Sequence, residues 1–184
     1  MSKRIALLSA AAFSVLALTA TVTAPAGAEE KTVMVGGAAM FPSKNIVQNA
    51  VHSKDHTTLV AAVKAAGLVD TLESKGPFTV FAPTNAAFDK LPAGTVDTLV
   101  KPENKATLTK ILTYHVVPGK LEASDLTDGK KLKTVEGEEL TVKKSGDKVM
   151  IVDAKGGSSS VTIPNVNQSN GVIHVVDTVL MPAS

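Results

Sequence analysis

The chain of 184 residues contains no cysteine. Disulfides, thiol chemistry, cysteine-ligated zinc and a lipidated cysteine are therefore excluded. Its single arginine is Arg4, and every other basic residue is lysine. Beyond the first residues the chain thus lacks the bidentate fork that phosphate and guanine readers favour, which argues against a nucleic-acid partner. After about Ala20 no segment is long or apolar enough to cross a bilayer. Nucleotide and hydrolase signatures are missing too: there is no P-loop, no Rossmann glycine fingerprint and no nucleophile elbow.

What is present starts with a leader. Lys3 and Arg4 form a basic n-region, Ile5 to about Ala20 an apolar run, and Ala26-Gly27-Ala28 a small-x-small cleavage site. This predicts a secretory signal peptide over residues 1–28. The run is short of the roughly 20 apolar residues a span needs, so no transmembrane anchor is expected after cleavage. On that reading 156 residues remain, with 17 basic against 17 acidic, because Lys3 and Arg4 leave the original 19. A formal charge of zero gives no long-range steering toward a charged partner. The expected destination is the periplasm or the medium, and the length suits one domain that buries roughly two-thirds of its unfolded surface.

Residues 29–50 read as an N-terminal arm. Val33–Val35 is strand-like, Gly36-Gly37 breaks it, and Ser43 is placed to cap a short helix over Lys44–Val51. From Asp55 the spacing of Leu59, Ala62, Val63 and Ala66 predicts a helix, capped by Asp55 or a polar neighbour and closed by Gly67. Phe78–Ala82 follows as a strand, then helical patterns over Asn85–Leu91, Thr95–Val100 and Asn104–Thr113, and a helical turn near Ala123–Leu126. From Lys131 short β segments dominate: Lys131–Val135, Glu139–Lys143, Val149–Val152, Val161–Ile163, Val166–Gln168 and Val172–Val176. Leu180–Met181 reads as an extension of the last ladder. A helical half before a strand-rich half predicts an α+β fold.

Three stretches carry most of the information: Phe78–Phe88 (FTVFAPTNAAF), ILTYHVV around Tyr114–His115, and Gly171–Pro182 (GVIHVVDTVLMP). In order and spacing they resemble the two boxes and the central Tyr-His of the fasciclin (FAS1) domain family, over roughly Val51–Pro182. The likeness is greatest to small secreted single-domain bacterial members. It implies a twisted β-wedge of about seven short strands packed against a bundle of short helices, and a domain over residues 51–182. It also implies an adhesion or interaction module rather than an enzyme, with no cofactor.

Single residues allow two readings each. Thr84 is placed to cap the helix after the first box, and Asn85 beside it either satisfies backbone groups or meets a ligand. On the second box His174 points where Val172 and Val176 point, as a hydrogen-bonded core histidine does. In the FAS1 family Tyr-His flanked by aliphatics is associated with integrin-dependent adhesion. The resemblance therefore makes Tyr114, His115, Ile111, Leu112, Val116 and Val117 the adhesion candidates, and Thr84, Asn85 and His174 the structural motif residues. The competing reading packs both rings of Tyr114–His115 inside. The Asp-Ile pair of some members falls here on Asn165 and Val166. The missing carboxylate argues against an integrin, whose metal-bridged recognition needs an acidic oxygen.

His52 and His56 have i,i+4 spacing, but a cap at residues 53–55 would leave His52 outside the helix, and two ligands fall short of a site, so no metal is expected. Gly156-Gly157 with Ser158–Ser160 reads as a hairpin loop, and Glu136-Gly137-Glu138-Glu139 as a solvated turn. No serine is visibly paired with a histidine and an acid. The expectation is an exported, non-enzymatic module that attaches cells or matrix through protein–protein contacts. The rival is a soluble periplasmic carrier or sensor of a small apolar ligand, suggested by an aliphatic-rich chain that keeps a few polar groups near its apolar runs, as ligand pockets do.

Overall fold

The two boxes, some ninety residues apart in sequence, lie side by side in one sheet, second and third from an edge. In the computed structural model, which describes residues 31–183, the first box is strand β3 and the second is β9. The predicted leader lies outside the described residues. Strands are β1 (Val33–Val35), β2 (Ala38–Met40), β3 (Phe78–Pro83), β4 (Val116–Pro118), β5 (Lys131–Lys133), β6 (Glu139–Ser145), β7 (Lys148–Val152), β8 (Ser158–Gln168) and β9 (Gly171–Val176). Helices are α1 (Ile46–Ala50), α2 (Thr57–Ala66), α3 (Val69–Glu73), α4 (Asn85–Asp89), α5 (Thr95–Leu99) and α6 (Lys105–Tyr114).

The first two strands form a hairpin, and the other seven make one sheet in the order β4-β3-β9-β8-β7-β6-β5. Its two edges nearly close, since Val135 N–H donates to Val116 O at 2.8 Å. The pairing of β3 with β9 is parallel, from Phe78 opposite Gly171 to Pro83 opposite Val176. Gly171 is required there, because a Cβ would collide with the Phe78 carbonyl.

Alternation along these two strands divides the interior. Val80, Ala82, Ile173 and Val175 face the helices, joined by Leu59, Val63, Leu108, Ile111 and Leu112. Phe81 and Val176 face the opposite way, into a second core with Tyr114, Leu126, Leu140, Val142 and Ile151. A strand with large groups on both faces suits a sheet covered on both sides.

The structure amends several expected boundaries. Val161–Ile163 and Val166–Gln168 are parts of the single strand β8, whose register against β9 shifts between Val161 and Ile163 and again between Ile163 and Val166. The turn expected near Ala123–Leu126 is present over residues 123–125, where Asp125 N–H donates to Glu122 O at 2.9 Å. Leu180–Met181 lies outside the ladder. Helix α1 is capped by Asn45, not Ser43, in a reciprocal box with Gln48. The described part of the 29–50 arm is built into the fold: Val35, Met40, Ile46 and Val47 enter the helix-side core.

Candidate functional site

Helix α6 places the Tyr-His pair at the joint between the two cores. Leu108, Ile111 and Leu112 recur at helical spacing and face the helix-side core, while Tyr114 turns into the wedge-side core. The helix stops at His115, whose backbone N–H donates to Leu112 O at 3.1 Å, and β4 begins at the next residue.

Tyr114 is fully buried. Its Oη accepts from Ala154 N at 2.9 Å and lies 3.4 Å from Glu139 O, tying the helix end to the far strands. Burial raises its pKa, against the Ala154 N–H, and the nearby carboxylates of Asp153, Glu138 and Glu136 push it further. The hydroxyl therefore stays protonated.

His115 is buried to 2% exposure. Its Nε2 accepts from Leu180 N at 2.9 Å, so Nδ1 carries the proton and donates it to Ile111 O at 2.8 Å. Burial lowers its pKa to about 4, outweighing the Ile111 carbonyl and Asp153. His174 has the opposite tautomer: Nε2–H donates to Leu121 O at 2.7 Å, and Nδ1 faces Asn165 N at 3.4 Å. Its ring stacks on Phe81, with centroids 5.7 Å apart, and burial lowers its pKa too.

At the far end of β3, the Thr84 hydroxyl accepts from Ala87 N at 3.2 Å and caps α4. The Asn85 amide spans to the start of α2. Its Oδ1 accepts from Thr58 N at 3.1 Å and from the Thr57 hydroxyl at 3.2 Å, while Nδ2 donates to Lys54 O at 2.9 Å. The cap of α2 thus comes from Asn85 and not from Asp55, which lies in a 3₁₀ turn before the helix. Asn165 takes a positive φ of 57°, which asparagine tolerates, and its Oδ1 accepts from Ala123 N at 2.7 Å.

All six adhesion candidates, Tyr114, His115, Ile111, Leu112, Val116 and Val117, are buried. A partner cannot touch them in this conformation, and their geometry is that of the packing reading. Both nitrogens of His115 and of His174 face hydrogen-bond partners, which leaves neither free for proton transfer. His52 is exposed and His56 buried, so the two do not share a face. Among the described residues no group of three or more histidine, aspartate or glutamate side chains is placed to hold a metal.

Two polar keystones escaped sequence reasoning. Asp153 accepts from Gly157 N at 2.7 Å, Lys155 N at 3.0 Å and Met181 N at 3.1 Å. An aspartate ahead of Gly156-Gly157 is an Asx-turn signal that could have marked it. Asn170 accepts from Ile46 N at 3.1 Å and donates to Leu72 O and Ser74 O at 2.6 and 3.0 Å. No local signal announces those partners, which are about 100 residues away.

Comparison with known proteins agrees with this geometry. A family model described as the fasciclin domain matches residues 54–182. Protein sll1483 of Synechocystis sp. is 50% identical over 153 residues, covering 83% of this chain and 82% of its own length. Immunogenic protein MPB70 of Mycobacterium bovis is 36% identical over 198 residues, covering 97% of this chain and 96% of its own. Cell surface glycolipoprotein MPB83 of the same species is 46% identical over 115 residues, 62% of this chain and 48% of its own. Among solved structures, a FAS1 domain pair from the insect cell adhesion molecule fasciclin I aligns over 77% of this chain, with a TM-score of 0.68 and 19% identity. The chain spans about half (52%) of that pair, and the likeness shows the fold.

Proposed function

The chain belongs to the fasciclin domain family, and from that premise we propose that it is an exported, non-enzymatic module that mediates cell adhesion or matrix attachment through protein–protein contacts. Family members are generally adhesion-type modules, and none of the relatives named above carries an enzyme name. Among the described residues no helix is long and apolar enough to cross a membrane. One relative is named a cell surface protein, which supports an exported destination, periplasmic or extracellular, behind the predicted leader.

The observation that carries the reading is the way the motif residues are spent. Tyr114, His115, Thr84, Asn85 and His174 are each hydrogen-bonded within the chain, which supports a scaffold rather than a reaction centre. Tyr114 and His115 serve attachment by holding the helix bundle against the wedge, so that the outer surface keeps one shape. The partner is a protein or matrix component. At the position of the family's Asp-Ile pair, the Asn165 amide is neutral and already engaged with Ala123, which speaks against an integrin.

A strain lacking the protein should attach to surfaces and to other cells less than its parent, and plasmid-borne protein should restore attachment. Parent-like attachment by the deletion strain would refute the reading.

A further inference from the structure

Charge is unevenly spread over the β-wedge. Along β5, β6 and β7 alternate residues, Leu132, Leu140, Val142, Val149 and Ile151, turn into the wedge-side core. The residues between them therefore share the outer face of the sheet, among them Lys131, Lys133, Glu139, Lys143 and Lys148. All five are exposed. Glu139 stands opposite Lys133 and 3.3 Å from Lys131, so these strands present four lysines against one acid on that face. The turn joining β6 to β7 adds one charge of each sign, Lys144 and Asp147.

The strand register sets three of these lysines in a row. Lys131 pairs with Thr141, Lys143 with Met150 and Lys148 with Ser145. Lys143 is thus one diagonal step from Lys131 and one from Lys148, in the same oblique direction. Each such step spans about 7–8 Å. The row crosses three strands, with the Thr141 hydroxyl beside its first member and half-buried Met150 beside its second.

A row of ammonium groups on an open strand face fits an extended polymer with repeating negative charges. A small anion would need an enclosing site. Exposed ion pairs are individually weak, so affinity has to come from several engaged at once along one chain. Nucleic acid matches poorly, because these strands carry neither an arginine fork nor an aromatic ring on which bases could stack. An anionic membrane would call for apolar side chains standing beyond the lysines, and Met150 and Val152 are half-buried. Lysine meets a single carboxylate as a point charge, and the Thr141 hydroxyl can donate to or accept from a sugar hydroxyl. We propose that the outer face of β5, β6 and β7 binds an anionic polysaccharide, with its carboxylates on Lys131, Lys143 and Lys148. This rests on the attachment reading, to which it adds the chemistry of a matrix partner.

The test is binding of the purified protein to immobilised polygalacturonate, a uronic-acid polymer, beside neutral dextran. Saturable binding to polygalacturonate alone is expected, weakening as salt is raised. Lys131→Gln, Lys143→Gln and Lys148→Gln combined should weaken it ~10-fold. The same change at Lys64, Lys101 and Lys105, exposed on the helical side, should leave it nearly unaltered. Both variants alter only exposed side chains, and circular dichroism verifies their folding. Equal binding to dextran, equal loss in the two variants, or tighter binding to phosphatidylglycerol vesicles than to the polymer would overturn the proposal. Cell capture on protein coats separates it from the reading beneath it. Capture without polygalacturonate binding overturns the polysaccharide surface and spares attachment. Polygalacturonate binding without capture overturns attachment and leaves the polysaccharide surface standing.

Discussion

At the scale of single residues, two family histidines and a tyrosine act as structural fasteners. The sequence showed that His174 shares a strand face with valines, and this places it correctly. Tyr114–His115 was harder to read, because an adjacent pair at a helix end can turn either way and only the packing of both cores decides. Burial of His115 has a measurable consequence. Its pKa is 6.5 in the unfolded reference and about 4 in the fold, so between these values the unfolded chain binds a proton that the folded chain refuses. Stability is complete above about pH 6.5 and declines as pH falls toward 4, by about 3 kcal/mol at full extent. His174 is shifted in the same direction and adds to the decline. Urea midpoints should therefore fall steadily between pH 7 and pH 4.5, with a shallower dependence in a folded His115→Gln variant. A wild-type midpoint unchanged over that interval would show that neither histidine is held neutral.

At the scale of elements, alternation and helical spacing identify most pieces, and long-range polar contacts explain the errors. The apolar run of β3, the stripe of α2 and the closing Gly67, which has a φ of 72°, are all visible in the sequence. Helix α3 is not, since Val69 and Leu72 are the only apolar residues in it and it is lodged between Gly67 and the Gly76-Pro77 turn. The break between the two expected parts of β8 came from Pro164 and Asn165, which the strand accommodates as an irregularity. The cap of α2 could not be assigned locally, because Asn85 reaches it from 27 residues away. Asn85→Ala should leave the Thr58 N–H and the Lys54 carbonyl without this partner, at a cost of about 1–2 kcal/mol. Urea unfolding should show a lower midpoint at an unchanged slope. A midpoint equal to wild type would mean that solvent caps the helix equally well.

At the scale of the whole molecule, the β-wedge and helix bundle share strands β3 and β9, and the N-terminal segment completes the bundle. The sequence set the 29–50 arm apart because its elements are short and glycine-broken. In the fold Ile46 is held by Asn170, and Asn49 bonds to Phe41 and Gln168. Burying Val35, Met40, Ile46 and Val47 stabilises the fold by about 1.5–3 kcal/mol for each large side chain. A chain beginning at residue 51 should accordingly melt at least 10 °C lower or fail to fold in a thermal scan followed by circular dichroism. Equal melting would show the segment to be dispensable.

The same rigidity is what an attachment module needs, since a surface recognised by a partner must keep its shape. The most direct measurement is capture of the producing cells by surfaces coated with the purified, folded protein, beside coats of the same protein unfolded in urea. The account predicts capture by the folded coat and little by the unfolded one. Capture by the folded coat no greater than on a bare blocked surface would contradict it.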